Sequence, residues 1–181
     1  MRSLYNGSGR MIRIKAPPRK GVEQHDEYGK EEQGIIQCPL CENVHFKKEW
    51  HASLAILRSH LKNKKTPITH VRRCPACSMI ENHQFEGEVT IEDFPSQLEG
   101  ELLNLVHNFV ARAELYNPQH RLISLEPIVR GWRVTLTENQ LADRLAKKIH
   151  EAFNAVEVSI SLSKEPYEVN RAHVTYRLKS D

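Results

Sequence analysis

Cys38-Pro39-Leu40-Cys41 and Cys74-Pro75-Ala76-Cys77 are two matched CPxC pairs separated by 32 residues. A two-residue gap lets both thiolates of one turn face a single ion, while backbone N–H groups of the turn donate to the sulfurs. Two such turns supply four soft ligands in a tetrahedron, the geometry zinc takes in structural sites. The spacing therefore predicts one structural zinc held by Cys38, Cys41, Cys74 and Cys77. A dithiol redox centre would use one such motif at a helix start in a βαβ unit, and an iron–sulfur cluster could also use four cysteines. Matched CPxC pairs fit both of these less well. His45 and His70 flank the pairs closely enough to reach an ion, but with four thiolates available they read as outer residues. Four thiolates fill the coordination shell and leave no position for a reacting water, so the expected role is structural. The chain has no GxxxxGK[ST] phosphate loop, no GxSxG and no HExxH. It reads as a non-enzyme.

Around the cysteines lie Lys47, Lys48, Arg58, Lys62, Lys64, Lys65, Arg72 and Arg73, with Trp50 and His51 among them. Lysine and arginine neutralise phosphates, and aromatic rings stack on unpaired bases, so this set is the expected RNA-binding surface. Some of that charge has a simpler use. A four-thiolate zinc site is formally dianionic, and Lys47, Lys48, Arg72 and Arg73 would offset it. The charge is uneven along the chain: residues 1–85 carry 15 Lys+Arg against 8 Asp+Glu, and residues 86–181 carry 11 against 15. A polyanionic partner would meet the first half.

The elements that must position these residues follow from periodicity. Residues 1–34 hold Gly, Pro and charge without a helical or strand period, including Arg10, Arg13, Lys15, Arg19 and Lys20, and read as a flexible basic arm. Residues 35–85 read as a zinc ribbon with an inserted helix, in which Trp50, Leu54, Leu57 and Leu61 share one face and Thr66-Pro67 ends the helix. Residues 86–181 read as a separate α+β domain. Its expected elements are a possible short strand at Glu88–Ile91, a helix begun by Pro95 and closed by Asn117-Pro118, and strands at Leu122–Val129 and Trp132–Leu136. A second helix capped by Thr137 and Gln140, with Leu141, Leu145, Ile149 and Phe153 on its apolar stripe, precedes two further strands. The fold class is thus α+β, with two helices on one face of a mainly antiparallel sheet in α-ββ-α-ββ order. The sheet's other face would show Arg133, Thr135, Ser159, Ser161, Thr175, Arg177 and Lys179, which lack the aromatic residues of RNA-binding sheets and read as solvated. With 39% hydrophobic and 27% charged residues and no apolar run of about 18, the chain reads as globular, intracellular and cytoplasmic, without a membrane span.

The CPxC pairs together with LLNLVHNFVARAELYNPQHRLISLE and VTLTENQLADRLAKKIHEAF resemble a family of small bacterial zinc-ribbon proteins. These in turn are similar to the N-terminal zinc-binding region of the eukaryotic and archaeal export adaptor of the large ribosomal subunit. The resemblance runs from about Ile35 to Arg177. It implies zinc ligation by the four cysteines and contact with ribosomal RNA or the ribosomal particle. The adaptor has more cysteine pairs than this chain, so its zinc module does not carry over, and nuclear export has no meaning in a bacterium. The expected function is a non-catalytic RNA-binding adaptor. The alternatives are a protein–protein module and a zinc-ribbon protein of transcription that binds DNA, although no helix carries a major-groove reading set.

Overall fold

The computed structural model describes residues 34–61, 66–163 and 169–177. The expected basic arm, Lys62, Lys64 and Lys65 lie outside the described residues. Gln33–Asp181 forms one compact unit containing two sheets and four helices, a mixed α+β architecture.

The first sheet is built from short strands: β1 (Ile35–Gln37), β2 (Val44–Phe46), β3 (Glu49–His51) and β4 (Ile68–Val71), in the order β3-β2-β1-β4. Between β3 and β4 lies α1 (Leu54–His60). This helix begins later than the periodicity suggests. Ser53 is its N-cap, with Oγ accepting from the Ile56 amide, and the chain before it is extended. Trp50 therefore sits on β3 opposite His45, not on the helix face with Leu54 and Leu57. Its side chain packs against the cysteines, whereas Leu57 packs on Ile35 and Val44. The helix ends at His60, with Leu61 as its C-cap, well before Thr66-Pro67. A further helix, α2 (Pro75–Glu81), starts inside the second CPxC motif, where a simple turn was expected.

The second sheet comprises β5 (Gly87–Glu92), β6 (Leu122–Ile128), β7 (Gly131–Leu136), β8 (Val156–Ser163) and β9 (Val169–Tyr176), in the order β6-β7-β5-β9-β8. Every neighbouring pair is antiparallel except β5 with β9. Two helices, α3 (Ser96–Tyr116) and α4 (Asn139–Ala152), supply the apolar layer. Leu102, Val106 and Val110 from α3 and Leu141, Leu145 and Ile149 from α4 close over Val89, Ile91, Val134, Leu136, Ala172 and Val174 in one core. The segment with the faintest strand signal, β5, is the central strand.

Two local features differ from the sequence reading. Helix α4 is capped by Glu138, whose carboxylate accepts from the Gln140 and Leu141 amides at 3.1 and 3.0 Å. Thr137 cannot serve, because its buried hydroxyl accepts from the Arg121 amide at 2.8 Å and donates to the Gln119 carbonyl at 2.7 Å. At the β6–β7 turn, Gly131 adopts φ +150°, and a Cβ there would fall 2.0 Å from the Ile91 carbonyl oxygen, so only glycine lets β7 approach β5.

Candidate metal centre

Strands β1 and β4 are parallel neighbours, pairing Ile36 with His70 and Gln37 with Val71. Their C-terminal ends therefore release the chain at the same edge, Cys38 directly after β1 and Cys74 shortly after β4. This parallel pairing brings together two motifs that are far apart in sequence. After Cys38 the chain turns tightly: the Glu42 amide donates to the Cys38 carbonyl at 3.0 Å, and the Cys38 amide donates to the Asn43 carbonyl at 2.8 Å. Cys74 takes the N-cap position of α2, with Pro75 at the first helical position.

The four sulfurs all lie within 4.8 Å of one another, a group that could hold a metal ion. Cys41 Sγ and Cys74 Sγ are 3.7 Å apart, far beyond a disulfide bond, and all four thiols are free. Backbone amides point at the sulfurs, from Cys74 to Cys38 Sγ at 3.3 Å and from Cys77 to Cys74 Sγ at 3.4 Å. Burial pushes the Cys38 thiol up, but the amides of Cys41, Cys74 and Leu40 overcome it and bring its pKa down to about 6. Burial raises Cys41 and Cys77, and for Cys77 the neighbouring sulfurs add to the effect. A cluster that resists releasing all its protons unaided is one that a divalent cation would stabilise.

The basic residues are not all gathered at this site. Lys47 and Lys48 occupy the β2–β3 turn, and β2 runs antiparallel to β1, so this turn stands at the end of the sheet away from the cysteines. They are not placed to offset the charge of the sulfurs. Arg72 and Arg73 lie at the cysteine end, where Arg73 pairs with Glu81 and the Arg72 amide donates to the Gln37 carbonyl at 2.9 Å. Arg58 is exposed on α1. His70 is exposed on β4, and His45 packs its ring on Trp50 with centroids 5.2 Å apart. On the open face of the second sheet Arg133 and Arg171 both donate to Glu88, and Arg177 pairs with Glu157. Charge on that face is largely balanced internally.

Sequence reasoning missed a polar seam between the cysteine module and the second sheet. Gln119 Oε1 accepts from the Ala76 amide at 3.0 Å, filling an otherwise unpaired donor in the first turn of α2. Asn43, only 3% exposed, satisfies both ends of its amide when the oxygen is turned toward Arg121: its nitrogen then donates to the Ala52 carbonyl at 3.1 Å and its oxygen accepts from an Arg121 guanidinium nitrogen at 3.0 Å. Arg121 also donates to the Pro118 carbonyl at 2.9 Å and pairs with Glu114. In sequence the Asn117–Arg121 stretch reads only as a helix stop, because its polar side chains have partners remote along the chain.

His120 in this seam yields a pH dependence. Asn117 Oδ1 accepts from the Gln119 amide, which turns Asn117 Nδ2 toward His120 Nε2 at 3.1 Å, while His120 Nδ1 is buried without a hydrogen-bond partner among the described residues. Nε2 is therefore an acceptor, and the ring is held neutral. Burial lowers its pKa from 6.5; Glu138 opposes this and Arg144 adds to it. A depressed histidine pKa means that the unfolded chain binds the extra proton first, so its stabilising contribution is full above pH 6.5 and is lost as the pH falls below it. His120→Asn is expected to flatten the stability–pH curve in that acid window and to leave its slope unchanged above pH 7, as read by urea unfolding at each pH.

Comparison with known protein families and with curated proteins finds no match for this chain. Among the described residues, no helix is long and apolar enough to cross a membrane.

Proposed function

We propose that this chain is a non-catalytic, zinc-dependent adaptor that binds RNA, on the ribosome or on its assembly intermediates. The observation that carries the reading is the four-sulfur cluster. A tetrahedron with zinc–sulfur bonds of about 2.3 Å has sulfur–sulfur edges of roughly 3.8 Å, and the Cys41–Cys74 separation of 3.7 Å matches that edge. Four thiolates saturate zinc, so the ion serves the fold and the surface it displays does the binding.

On that surface the β2–β3 turn is the strongest anion-binding feature. Lys47 and Lys48 take φ of +50° and +71°, conformations that a two-residue hairpin turn normally assigns to Asn and Gly. Both are exposed, and neither forms an ion pair among the described residues. Two lysines held at a hairpin tip against their backbone preference suit contact with phosphates, and the ribosomal resemblance and the basic first half point to RNA.

Fluorescence titration of a ribosomal RNA fragment tests this. Lys47→Glu/Lys48→Glu is expected to weaken binding about tenfold at moderate salt and to reduce the slope of log affinity against log salt by roughly 1.5. Binding that depends on neither salt nor these lysines would remove the RNA reading. Retention of the chain on isolated ribosomal subunits at low salt, and its loss at high salt, would tie the RNA to the ribosome.

A further inference from the structure

The outer edge of β8 offers an interaction surface that is independent of the metal and RNA reading. This strand is eight residues long and pairs, among the described residues, only with β9. Exposed edges are normally guarded against pairing by shortness, bulges, prolines or charge. The other edge of the same sheet shows such guards, because β6 carries a bulge between Leu122 and Ser124, Glu126 and Pro127. The edges of the first sheet, β3 and β4, are three and four residues long. In β8, Val-Glu-Val-Ser-Ile-Ser-Leu-Ser, there is no proline, glycine, lysine or arginine. Its one charge, Glu157, is neutralised by Arg177 of the same chain.

The apolar side of this strand is only partly used. Val156 is buried, but Ile160 and Leu162 are 45% and 47% exposed on the same face, opposite Ala172 and Asn170 of β9. We infer that β8 is a homodimerisation edge, pairing antiparallel with β8 of a second copy about a two-fold axis at Ile160, so that the two five-stranded sheets become one. The sequence of the strand favours a second copy as the occupant. Directly opposed residues in an antiparallel pair share a face, so register must match odd with odd and even with even positions. With Ile160 against Ile160, Leu162 meets Val158 and Ser159 meets Ser161. Both exposed apolar side chains are covered, Ser163 falls opposite Glu157, and no like charges are opposed among the described residues. A register centred on Glu157 would oppose two carboxylates. A two-fold contact of this kind is self-complementary and closed, so it stops at two copies.

The test is sedimentation equilibrium of the full-length, metal-loaded chain. The expected result is a dimer with a micromolar dissociation constant. Ile160→Lys and Leu162→Lys, both at exposed positions and so compatible with folding, are expected to raise that constant about 100-fold or more by placing cations across the axis, with unchanged thermal unfolding of the monomer. Ile160→Cys fixes the register: mild oxidation should join two copies efficiently through this position and poorly through Ser159→Cys. A wild-type chain that stays monomeric at 100 μM (roughly the upper end of micromolar affinity), or a dimer untouched by both lysine variants, would overturn the inference. RNA binding by a monomeric chain would leave the functional reading standing while this one fell.

Discussion

Cys74→Ser is expected to abolish stoichiometric zinc binding and to unfold the first sheet, the largest effect foreseen for any single substitution here. The reason is the size of the core around it. Away from the sulfurs the large apolar residues this region buries, among the described residues, are Ile35, Ile36, Val44 and Leu57, with Phe46, Leu54 and Leu61 partly covered, too little to order some 45 residues in short strands and two seven-residue helices. Closure of four thiolates on zinc supplies on the order of 10 kcal/mol or more. Serine keeps the backbone amide that donates to Cys38 Sγ and its hydroxyl can take over the cap of α2, so the substitution removes the metal ligand and little else. The second sheet has its own core of seventeen buried residues and should persist. It should be weakened by about 1–3 kcal/mol, because unfolding α2 and the Asn43 turn strips partners from Gln119 and Arg121. Elemental analysis together with two-probe urea unfolding checks this. A Cys74→Ser chain that kept one zinc per molecule and a single cooperative transition would refute it, and chelation of the wild type should reproduce the variant's behaviour.

Glu88→Ala is expected to destabilise the second sheet by about 3 kcal/mol, the low end of the 3–5 kcal/mol range for breaking fully buried pairs because its partners remain partly hydrated. Glu88 lies on the central strand and is 8% exposed. Its two oxygens accept from Arg133 Nε and a terminal guanidinium nitrogen at 2.8 and 2.5 Å, and from Arg171 Nε at 3.1 Å. One carboxylate thus ties β7, β5 and β9 together on the face the helices do not cover. Arg133 further stacks its guanidinium over Phe85, 5.4 Å from the ring centroid. Glu88→Gln keeps the size but turns an amide donor toward guanidinium donors, so it should lose most of the same stability. Arg171→Ala should cost less, since Arg133 still satisfies Glu88. Chemical denaturation of the three variants gives the comparison, and equal costs for Glu88→Ala and Arg171→Ala would show that the carboxylate is not the common anchor.

The helices of the second sheet were legible because each carries a long 3.6-residue apolar period. Leu141, Leu145 and Ile149 are the buried side of α4, Phe153 of the same stripe is its C-cap, and the boundaries at Pro95 and Asn117-Pro118 hold. Strand β5 was barely legible, since Val89 and Ile91 are its only large apolar residues and two glutamates interrupt it. One of those, Glu88, is buried only because arginines from two other strands meet it. Trp50 fits a helical period by coincidence of spacing, and the hydroxyl of Ser53, which starts α1 after it, decides otherwise.

The sequence by itself determined which atoms could bind an ion: paired thiols two residues apart converge within their own turn whatever the rest of the chain does. The matched spacing predicts that the two pairs meet, but tertiary structure alone decided how, because the meeting requires β1 and β4 to lie side by side and parallel, a long-range pairing that leaves no local periodicity. It also decided that Lys47-Lys48 and Arg72-Arg73 stand at opposite ends of one small sheet, since strand direction, not distance along the chain, sets where a turn points.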